Sequence, residues 1–530
     1  MKKYYILLLP LLSVIYLSSC DKYLDVDPDN RAEVDNKEKI AGMLVSAYPT
    51  STFCFITEMA SDNADRMDKY IQYDNRRQEE FFYWKDATEI STDTPHVLWQ
   101  ACYKAIASAN QALDAIKKLG NDDGSLNTQK GEALMCRAYA HFVLVNVFCM
   151  HYGSASSTDP GVPYMEAPET TVNPKYERGT VAGVYAKIEA DIEEGLPLIN
   201  DDEFKVLRYH FNKKAAYAFA ARFFLYYRKY DKVISYASEV LGGDPVSALR
   251  NWGDAAIVST TYDVRGNAFV DSDNKANLLL IPTYSLWGRH DGPYYTGCYY
   301  IHNNTISAYE TDRSVGPWGN GSVANTYKSR AIYLTVDKVC NYKIKEFFEY
   351  TDPVQGIGYA HIVHPVFTTD ETLLCRAEAY VMTKEYDKAC DDLSLFMRNY
   401  SNGTILTREN MNAFYENLEY YQPGYDAATK IPLATPKKKL NPDFVVEQGE
   451  QENLIHCVLH IRRILTRSEG LRWFDVKRYG IEIYRRSITE NNSKPITPDL
   501  DFLAADDLRR AIQLPMDVIN AGLPANPRNE

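Results

Sequence analysis

Apolar residues recur at intervals of three and four over Val97–Leu119, Gln129–Met150, Thr180–Leu198, Lys213–Tyr227, Asp231–Leu241, Asp370–Thr383, Asp387–Asn399 and Glu452–Arg467. That spacing predicts amphipathic helices. Stop signals fall where the pattern ends: Gly120 with "NDDG" after the first stretch, Gly153 after the second, Gly242-Gly243 after the fifth. Between the patterned stretches, Asp159–Pro174 holds Pro160, Pro163, Pro168 and Pro174 and reads as an extended connection. Asn251–Pro365 is long, aromatic and glycine-rich, with short β-like runs such as "LLLIPTYSLW", and predicts an irregular excursion. A second mixed segment, Ser401–Gln451, holds "PKKKLNP". Loops this long are usually functional.

The pattern repeats itself. "LMCRAYAHF" at Leu134–Phe142 aligns with "LLCRAEAYV" at Leu373–Val381, and "RKYDKVISYASEVL" at Arg228–Leu241 with "KEYDKACDDLSLFM" at Lys384–Met397. Each copy is a helix with small residues on one face, a tight turn, and a second helix. Small residues let two helices approach closely, and a pair must stack on other pairs to bury its remaining face. The expected fold is therefore mainly α, a scaffold of tetratricopeptide-like helical hairpins carrying a large loop-rich insertion with short strands. The copies are unevenly spaced, which excludes a uniform solenoid.

The first residues change the picture of where the chain resides. Met1, Lys2 and Lys3 precede the apolar run "YYILLLPLLSVIYL", which predicts a secretory signal rather than a membrane span. Leu17-Ser18-Ser19-Cys20 resembles the bacterial lipobox, in which the cysteine thiol and the new amine are acylated. Two or more acyl chains anchor stably where one is marginal. Asp21, Asp25, Asp27 and Asp29 follow as a polar tether, resembling the acidic export tag of surface lipoproteins in the Bacteroidetes. A net charge of −13 argues against a nucleic-acid partner, which needs a basic field. Beyond Cys20, Cys102, Cys136, Cys149, Cys375, Cys390 and Cys457 fall in apolar helical patterns and read as small buried hydrophobes. The 41 tyrosines are the compositional outlier. They suit either the binding of amphipathic ligands such as sugars or packing between helices.

Five segments stand in order along essentially the whole chain: the lipobox with its acidic tether; "CRAYAHFVLVNVFCMHYG" (Cys136–Gly153) followed by "GVPY"; "NKKAAYAFAARFFLYYRKYDKVISYASEVL" (Asn212–Leu241); "RSEGLRWFDVKRYG" (Arg467–Gly480); and "AIQLPMDVINA" (Ala511–Ala521). Together they resemble the SusD/RagB family of outer-membrane nutrient-binding lipoproteins. Two departures stand out. Ile461 and Leu465 occupy places that often carry acids in the family, and the chain ends "ANPRNE" rather than in a Gln-Asn-Pro-Gly-type motif. The resemblance implies a TonB-dependent SusC-like transporter barrel as partner, over which the lipoprotein closes like a lid. It implies a nutrient, usually an oligosaccharide and sometimes a peptide, held between them. It implies no catalysis, no cofactor, and lipid anchoring at the outer membrane, facing outward. The organisation it suggests is a signal over 1–19, an acylated tether over 20–40, an N-terminal scaffold over 41–250, a ligand-binding insertion over 251–365 and a C-terminal part over 366–530.

Binding a sugar takes an aromatic platform for its C–H face and polar groups for its hydroxyl rim. Trp318 within "GPWGNG", Trp287, and Tyr295 within "YYTGCYY" are the candidate rings of the excursion. Tyr83 and Trp84 in "EEFFYW" are their N-terminal counterparts, and Asn320, Arg289 and Asp65 are candidates for the rim. The competing role for each ring is a buried anchor within its own subdomain. In "SEGLRWFDVKRYG" the packing role is favoured, with Trp473 and Phe474 buried and Arg472 and Asp475 pairing or capping. His456 and His460 stand one helical turn apart, but "HCVLH" lacks the glutamate of a zinc protease. "DPDNRAEVD" places Arg31 at a calcium-ligand position. No phosphate loop or nucleophile elbow occurs. The functions that remain open are glycan capture, peptide capture, a scaffold whose only ligand is a protein, and a lipoprotein glycosidase.

Overall fold

The computed structural model describes residues 34–68, 76–171, 174–294, 298–323, 326–333, 338–426, 428–429, 431–489, 492–495 and 501–529. The signal, Cys20, its acidic tether and Tyr295 lie outside the described residues. The expected helices form as α1 (Pro95–Leu119), α2 (Asn127–Phe148), α3 (Val181–Gly195), α4 (Lys213–Tyr226), α5 (Tyr230–Leu241), α6 (Thr369–Met382), α7 (Tyr386–Tyr400) and α8 (Glu450–Leu465). Local chemistry sets their ends. The side chains of Thr180, Asn212 and Thr368 accept hydrogen bonds from the first-turn N–H groups of Gly183, Ala215 and Glu371, and Gly120 and Gly242 close α1 and α5 with positive φ.

The repeat seen in sequence is a repeat in space. α4 turns into α5 through Arg228 (φ 62°), and α6 into α7 through Lys384 (φ 64°), the matching position. In both turns the next N–H reaches back to a carbonyl in the last helical turn: Lys229 to Phe224 at 2.9 Å, Glu385 to Tyr380 at 2.8 Å. These are paired Schellman-type closures. α1 packs on α2, α2 on α3, α4 on α5, and α6 on α5, α7 and α8. One continuous core runs through them. Rings bind its layers: Tyr139 and Phe142 of α2 meet Phe219 of α4 at 5.7 and 5.5 Å, and Tyr185 of α3 stacks on Phe223 at 5.4 Å. Many of the tyrosines therefore serve in packing. Among the described residues, no helix is long and apolar enough to cross a membrane.

The excursion is more regular than its composition predicts. Two sheets of three or more strands draw on the excursion and the flanking chain, through β1 (Asp65–Met67), β2 (Asn277–Tyr284), β3 (Tyr300–Ile301), β4 (Phe347–Asp352), β5 (Ile357–Thr368), β6 (Arg486–Thr489) and β7 (Asn492–Pro495). β2, β5 and β4 form an antiparallel sheet in that order, and "SLW" leaves it to start the short helix Trp287–Asp291. A second sheet runs β7-β6-β1-β3, with β1 parallel to β6 and antiparallel to β3. It joins the N-terminal part, the excursion and the C-terminal part in one small platform.

The motif "SEGLRWFDVKRYG" lies at the heart of the scaffold. Trp473 is fully buried, Arg472 pairs with Asp62 at 2.7 and 2.9 Å, and Asp475 takes Arg462 (3.2 Å) and Arg478 (2.7 Å). Gly470 is required there: at φ 77°, a Cβ would stand 2.4 Å from Thr57 Oγ1. His460 bonds Ser314 at 2.7 Å and Tyr415 at 2.9 Å, a satisfied core histidine.

Candidate functional site

Side chains alternate across a strand, and β1 uses that alternation to separate two environments. Asp65 and Met67 point inward. Met67 joins Cys298, Ile301 and Ile488 in a small apolar cluster, while Asp65 accepts from Arg486 Nε (2.9 Å) and Asn303 Nδ2 (3.0 Å). Burial raises the Asp65 carboxyl even against that pairing. Arg66 and Asp68 point the other way and are half-buried.

On that outer face four residues converge. Arg66 donates through Nε to Asp68 Oδ1 at 2.7 Å and through Nη1 to the Tyr83 phenol oxygen at 2.8 Å. The Tyr299 hydroxyl donates to Asp68 Oδ1 at 3.1 Å, and its ring lies 5.7 Å from the Arg66 guanidinium carbon. Ser487 of β6 donates to the other Asp68 oxygen. Tyr83 and Tyr299 are half-buried, each packed edge-on against a neighbouring ring: Tyr83 against Phe82 at 4.9 Å, Tyr299 against Tyr300 at 5.1 Å. Partial burial opposes ionisation of Asp68, but the hydrogen bonds from Ser487 and Arg66 outweigh it and hold the carboxyl below its usual range. Burial likewise opposes the charge on Arg66, and the Asp68 hydrogen bond overcomes it, so the guanidinium is held more firmly protonated than usual. The cluster thus offers a fixed cation, a fixed anion, two phenols and part of a ring face. These are partners for hydroxyl groups and for an apolar C–H surface.

The "EEFFYW" and "YYTGCYY" stretches do meet, through Tyr83, Phe82, Tyr299 and Tyr300, with Phe82 and Tyr300 at 4.6 Å. The tryptophans singled out from sequence do not join them at a surface. Trp318 is fully buried: its indole donates to Tyr327 at 2.8 Å and its ring sits 4.9 Å from His460. Its neighbouring glycines do not project it. A Cβ on Gly316 would lie 2.4 Å from the Trp318 ring, so glycine there lets backbone close over the indole. Trp287 is buried with its indole donating to Ser468 O (2.7 Å), and Trp84 with its own donating to Ala60 O (2.8 Å) beneath the guanidinium of Arg485. Arg289 is held by both oxygens of Glu346 at 2.7 and 2.8 Å. Asn320 is exposed in a two-strand turn and caps the Ser322 N–H. Arg66 and Asp68 are not among the residues expected from sequence, and Tyr299 is expected only as part of "YYTGCYY"; the alternation that begins in β1 and runs on to Asp68 is the local signal for the first two.

Among the described residues, the rings that do face solvent include Tyr284 (45 % exposed), Tyr350 (58 %) and Tyr359 (58 %), on the sheet β2-β5-β4. Tyr284 and Tyr359 stand 5.7 Å apart. No group of three histidine, cysteine or acidic side chains suited to a metal ion occurs among the described residues.

Helical hairpins carrying a strand-bearing insertion form an architecture also found in solved structures. Residues 22–225 match the SusD-like family model described as "Starch-binding associating with outer membrane". It is 21% identical over 482 residues, 88% of this chain and 90% of the relative, to SusD-like protein P38 of Formosa agariphila. The same fold extends over nearly the whole chain in solved structures. A SusD superfamily protein from Bacteroides thetaiotaomicron covers 94% of this chain and 100% of its own at 17% identity, TM-score 0.61. A putative sugar binding protein from Bacteroides vulgatus covers 94% and 99% at 18% identity, TM-score 0.62.

Proposed function

We propose that this protein is a cell-surface lipoprotein, acylated at Cys20, that captures a nutrient glycan and hands it to a SusC-like TonB-dependent transporter without chemistry on the glycan. The observation that carries the reading is the partly exposed cluster of Arg66, Asp68, Tyr83 and Tyr299, assembled where the N-terminal part, the insertion and the C-terminal part converge. Its charges are locked in one protonation state by each other, which suits recognition of hydroxyls better than proton transfer. The family's description as starch-binding and associated with the outer membrane supports the ligand class and the location.

Protein beginning at Asp21 is titrated by calorimetry against a panel of plant and host glycans. Binding is expected, and Arg66→Ala or Tyr83→Ala weakens it by about tenfold or more, the scale of one lost aromatic or charged contact. A panel that gives no heat while peptides bind would replace glycan capture with peptide capture. Turnover of a chromogenic glycoside would make the protein a glycosidase. For the anchor, labelled palmitate is incorporated by the full chain and lost in Cys20→Ala.

A further inference from the structure

A cleft of about 700 Å³ opens on a different part of the molecule. Trp99, Tyr103, Met165, Tyr176, Val518 and Leu523 face it. They come from the start of α1, from the proline-rich connection before α3, and from the turn after the short C-terminal helix Met516–Asn520. Its volume falls in the range of ligand pockets, about 300–1,000 Å³. Neither β1 nor Tyr83 contributes to it.

The segments that wall the cleft are tied in place by hydrogen bonds. Arg178 ties the connection to the C-terminal segment, donating to Gly161 O (2.7 Å), Pro524 O (3.0 Å) and Asn526 Oδ1 (2.6 Å). Asn526 in turn donates to Phe148 O and Ile512 O, each at 2.8 Å. The Tyr103 hydroxyl donates to Pro163 O at 2.8 Å, fixing the connection to α1. Asn526 is thus the pin of the "ANPRNE" ending.

The lining has a definite chemistry. On one wall the partly exposed Tyr103 stands 4.9 Å from the buried Trp99, which is backed by Phe148 at 5.2 Å. The exposed Tyr176, also in the lining, donates its hydroxyl to Glu169, so that carboxylate already holds one hydroxyl. Lys175 and Glu177 also line the cleft, are exposed, and make no hydrogen bond or ion pair among the described residues. The lining charges are two carboxylates and one ammonium, on a chain of net charge −13, which disfavours an anionic ligand. The accessible rings of Tyr103 and Tyr176 for C–H faces, with carboxylate and ammonium partners for hydroxyls, fit an uncharged sugar.

We infer that this cleft is a second saccharide site, which takes a short neutral oligosaccharide independently of the Arg66–Tyr83 cluster. The ligand class rests on the glycan-capture reading; the place rests on separate residues. The test uses protein from Asp21 onward and calorimetric titration with maltoheptaose, cellohexaose, laminarihexaose and mannohexaose. Arg66→Ala with Tyr83→Ala removes the first cluster, and Tyr176→Ala with Glu177→Gln alters only exposed residues of the cleft lip. With the first cluster disabled, at least one oligosaccharide is expected to bind still, and adding the two lip changes weakens that binding about tenfold. If the Arg66/Tyr83 variant binds none of the four, the second site is overturned, and wild-type binding then leaves glycan capture standing. If the lip changes leave every titration unaltered, the second site is again overturned. Loss of all binding through the lip changes alone, with the Arg66/Tyr83 variant behaving as wild type, upholds the cleft and overturns the first cluster as the capture site.

Discussion

Arg137 grips Asp191 through two parallel hydrogen bonds, Nε to Oδ2 at 2.8 Å and Nη2 to Oδ1 at 2.6 Å. Arg376 grips Asp392 the same way, at 2.8 Å through each nitrogen. Arg137 and Arg376 are the arginines of the two "CRA" copies, and each aspartate lies on the next long helix of its hairpin. The repeat therefore encodes a buried latch as well as a packing pattern. Removing one partner strands a buried charge, which costs about 3–5 kcal/mol. Arg137→Ala should cost more than Arg376→Ala, because Arg137 also donates to Asn110 Oδ1 and Glu166 O, whereas Arg376 adds only Ser238. Replacing both partners, as in Arg137→Met with Asp191→Leu, should cost less than Arg137→Ala alone. Denaturant unfolding of the three variants measures the order.

Gly131 and Gly195 mark the closest approach of α2 and α3. A Cβ on Gly131 would stand 2.7 Å from the Gly195 carbonyl oxygen, and a Cβ on Gly195 would stand 2.9 Å from Leu134 Cβ. Alanine at 131 gains up to about 1 kcal/mol in helix propensity. Here it must also push two helices apart, and overpacking of this kind costs about 1–3 kcal/mol. Gly131→Ala is therefore expected to lower the unfolding midpoint, whereas Gly183→Ala, which meets only the end of the Thr180 side chain at 3.3 Å, should leave it nearly unchanged.

Two buried groups give stability opposite slopes on either side of neutrality. Glu58 accepts from Asn63 Nδ2 (2.9 Å) and the Gly470 N–H (2.8 Å), yet burial pushes its carboxyl from 4.5 up to about 7. In that window the folded state keeps a proton that the unfolded chain has released, so Glu58 makes stability fall as pH rises. Lys477 donates to Asn146 O (2.7 Å) and Cys149 O (2.5 Å), and burial pulls its ammonium from 10.5 down to about 7. Between those values the unfolded chain binds the extra proton, and stability rises with pH. Each window is worth a few kcal/mol, at roughly 1.4 kcal/mol for every pH unit that it spans. Urea unfolding at pH values spanning both windows should show Glu58→Gln flattening the acid-side slope and Lys477→Met the alkaline-side slope, each leaving the other intact.

The helices were legible in the sequence because apolar periodicity is a local signal. Their ends were legible only to within a few residues: α2 begins at Asn127 and stops at Phe148, short of Met150, where the backbone turns extended at Cys149. The site was legible in part. Clustered aromatics pointed to the stretches around Tyr83 and Tyr299, and tertiary pairing brought them together. Which face of β1 is outward is not local information. Asp65 and Arg66 are adjacent letters, and only pairing with β3 and β6 turns one inward and the other toward Tyr83. The glycines around Trp318 were ambiguous for a related reason. The same residues that allow a ring to project from a turn also allow backbone to pack against it, and the surrounding fold decides between the two.

Trp318 separates those roles experimentally. Its indole is fully buried, bonded to Tyr327, and covered by glycine backbone on the Gly316 side. Trp318→Ala removes a large packed ring and leaves the Tyr327 hydroxyl without its donor. The expected cost is about 3–5 kcal/mol of folding stability. Trp318→Phe should recover part of that cost by refilling the space. The protein that remains folded should bind ligand as wild type does, since no atom of Trp318 reaches the surface. Tyr83→Ala should shift the balance the other way: its ring lies at the edge of the core, so the melting temperature should fall less than for Trp318→Ala while affinity falls. Thermal unfolding and calorimetric titration on the same preparations compare the two. Loss of affinity in Trp318→Ala at unchanged stability would mean that the indole meets ligand directly and that the insertion opens on binding.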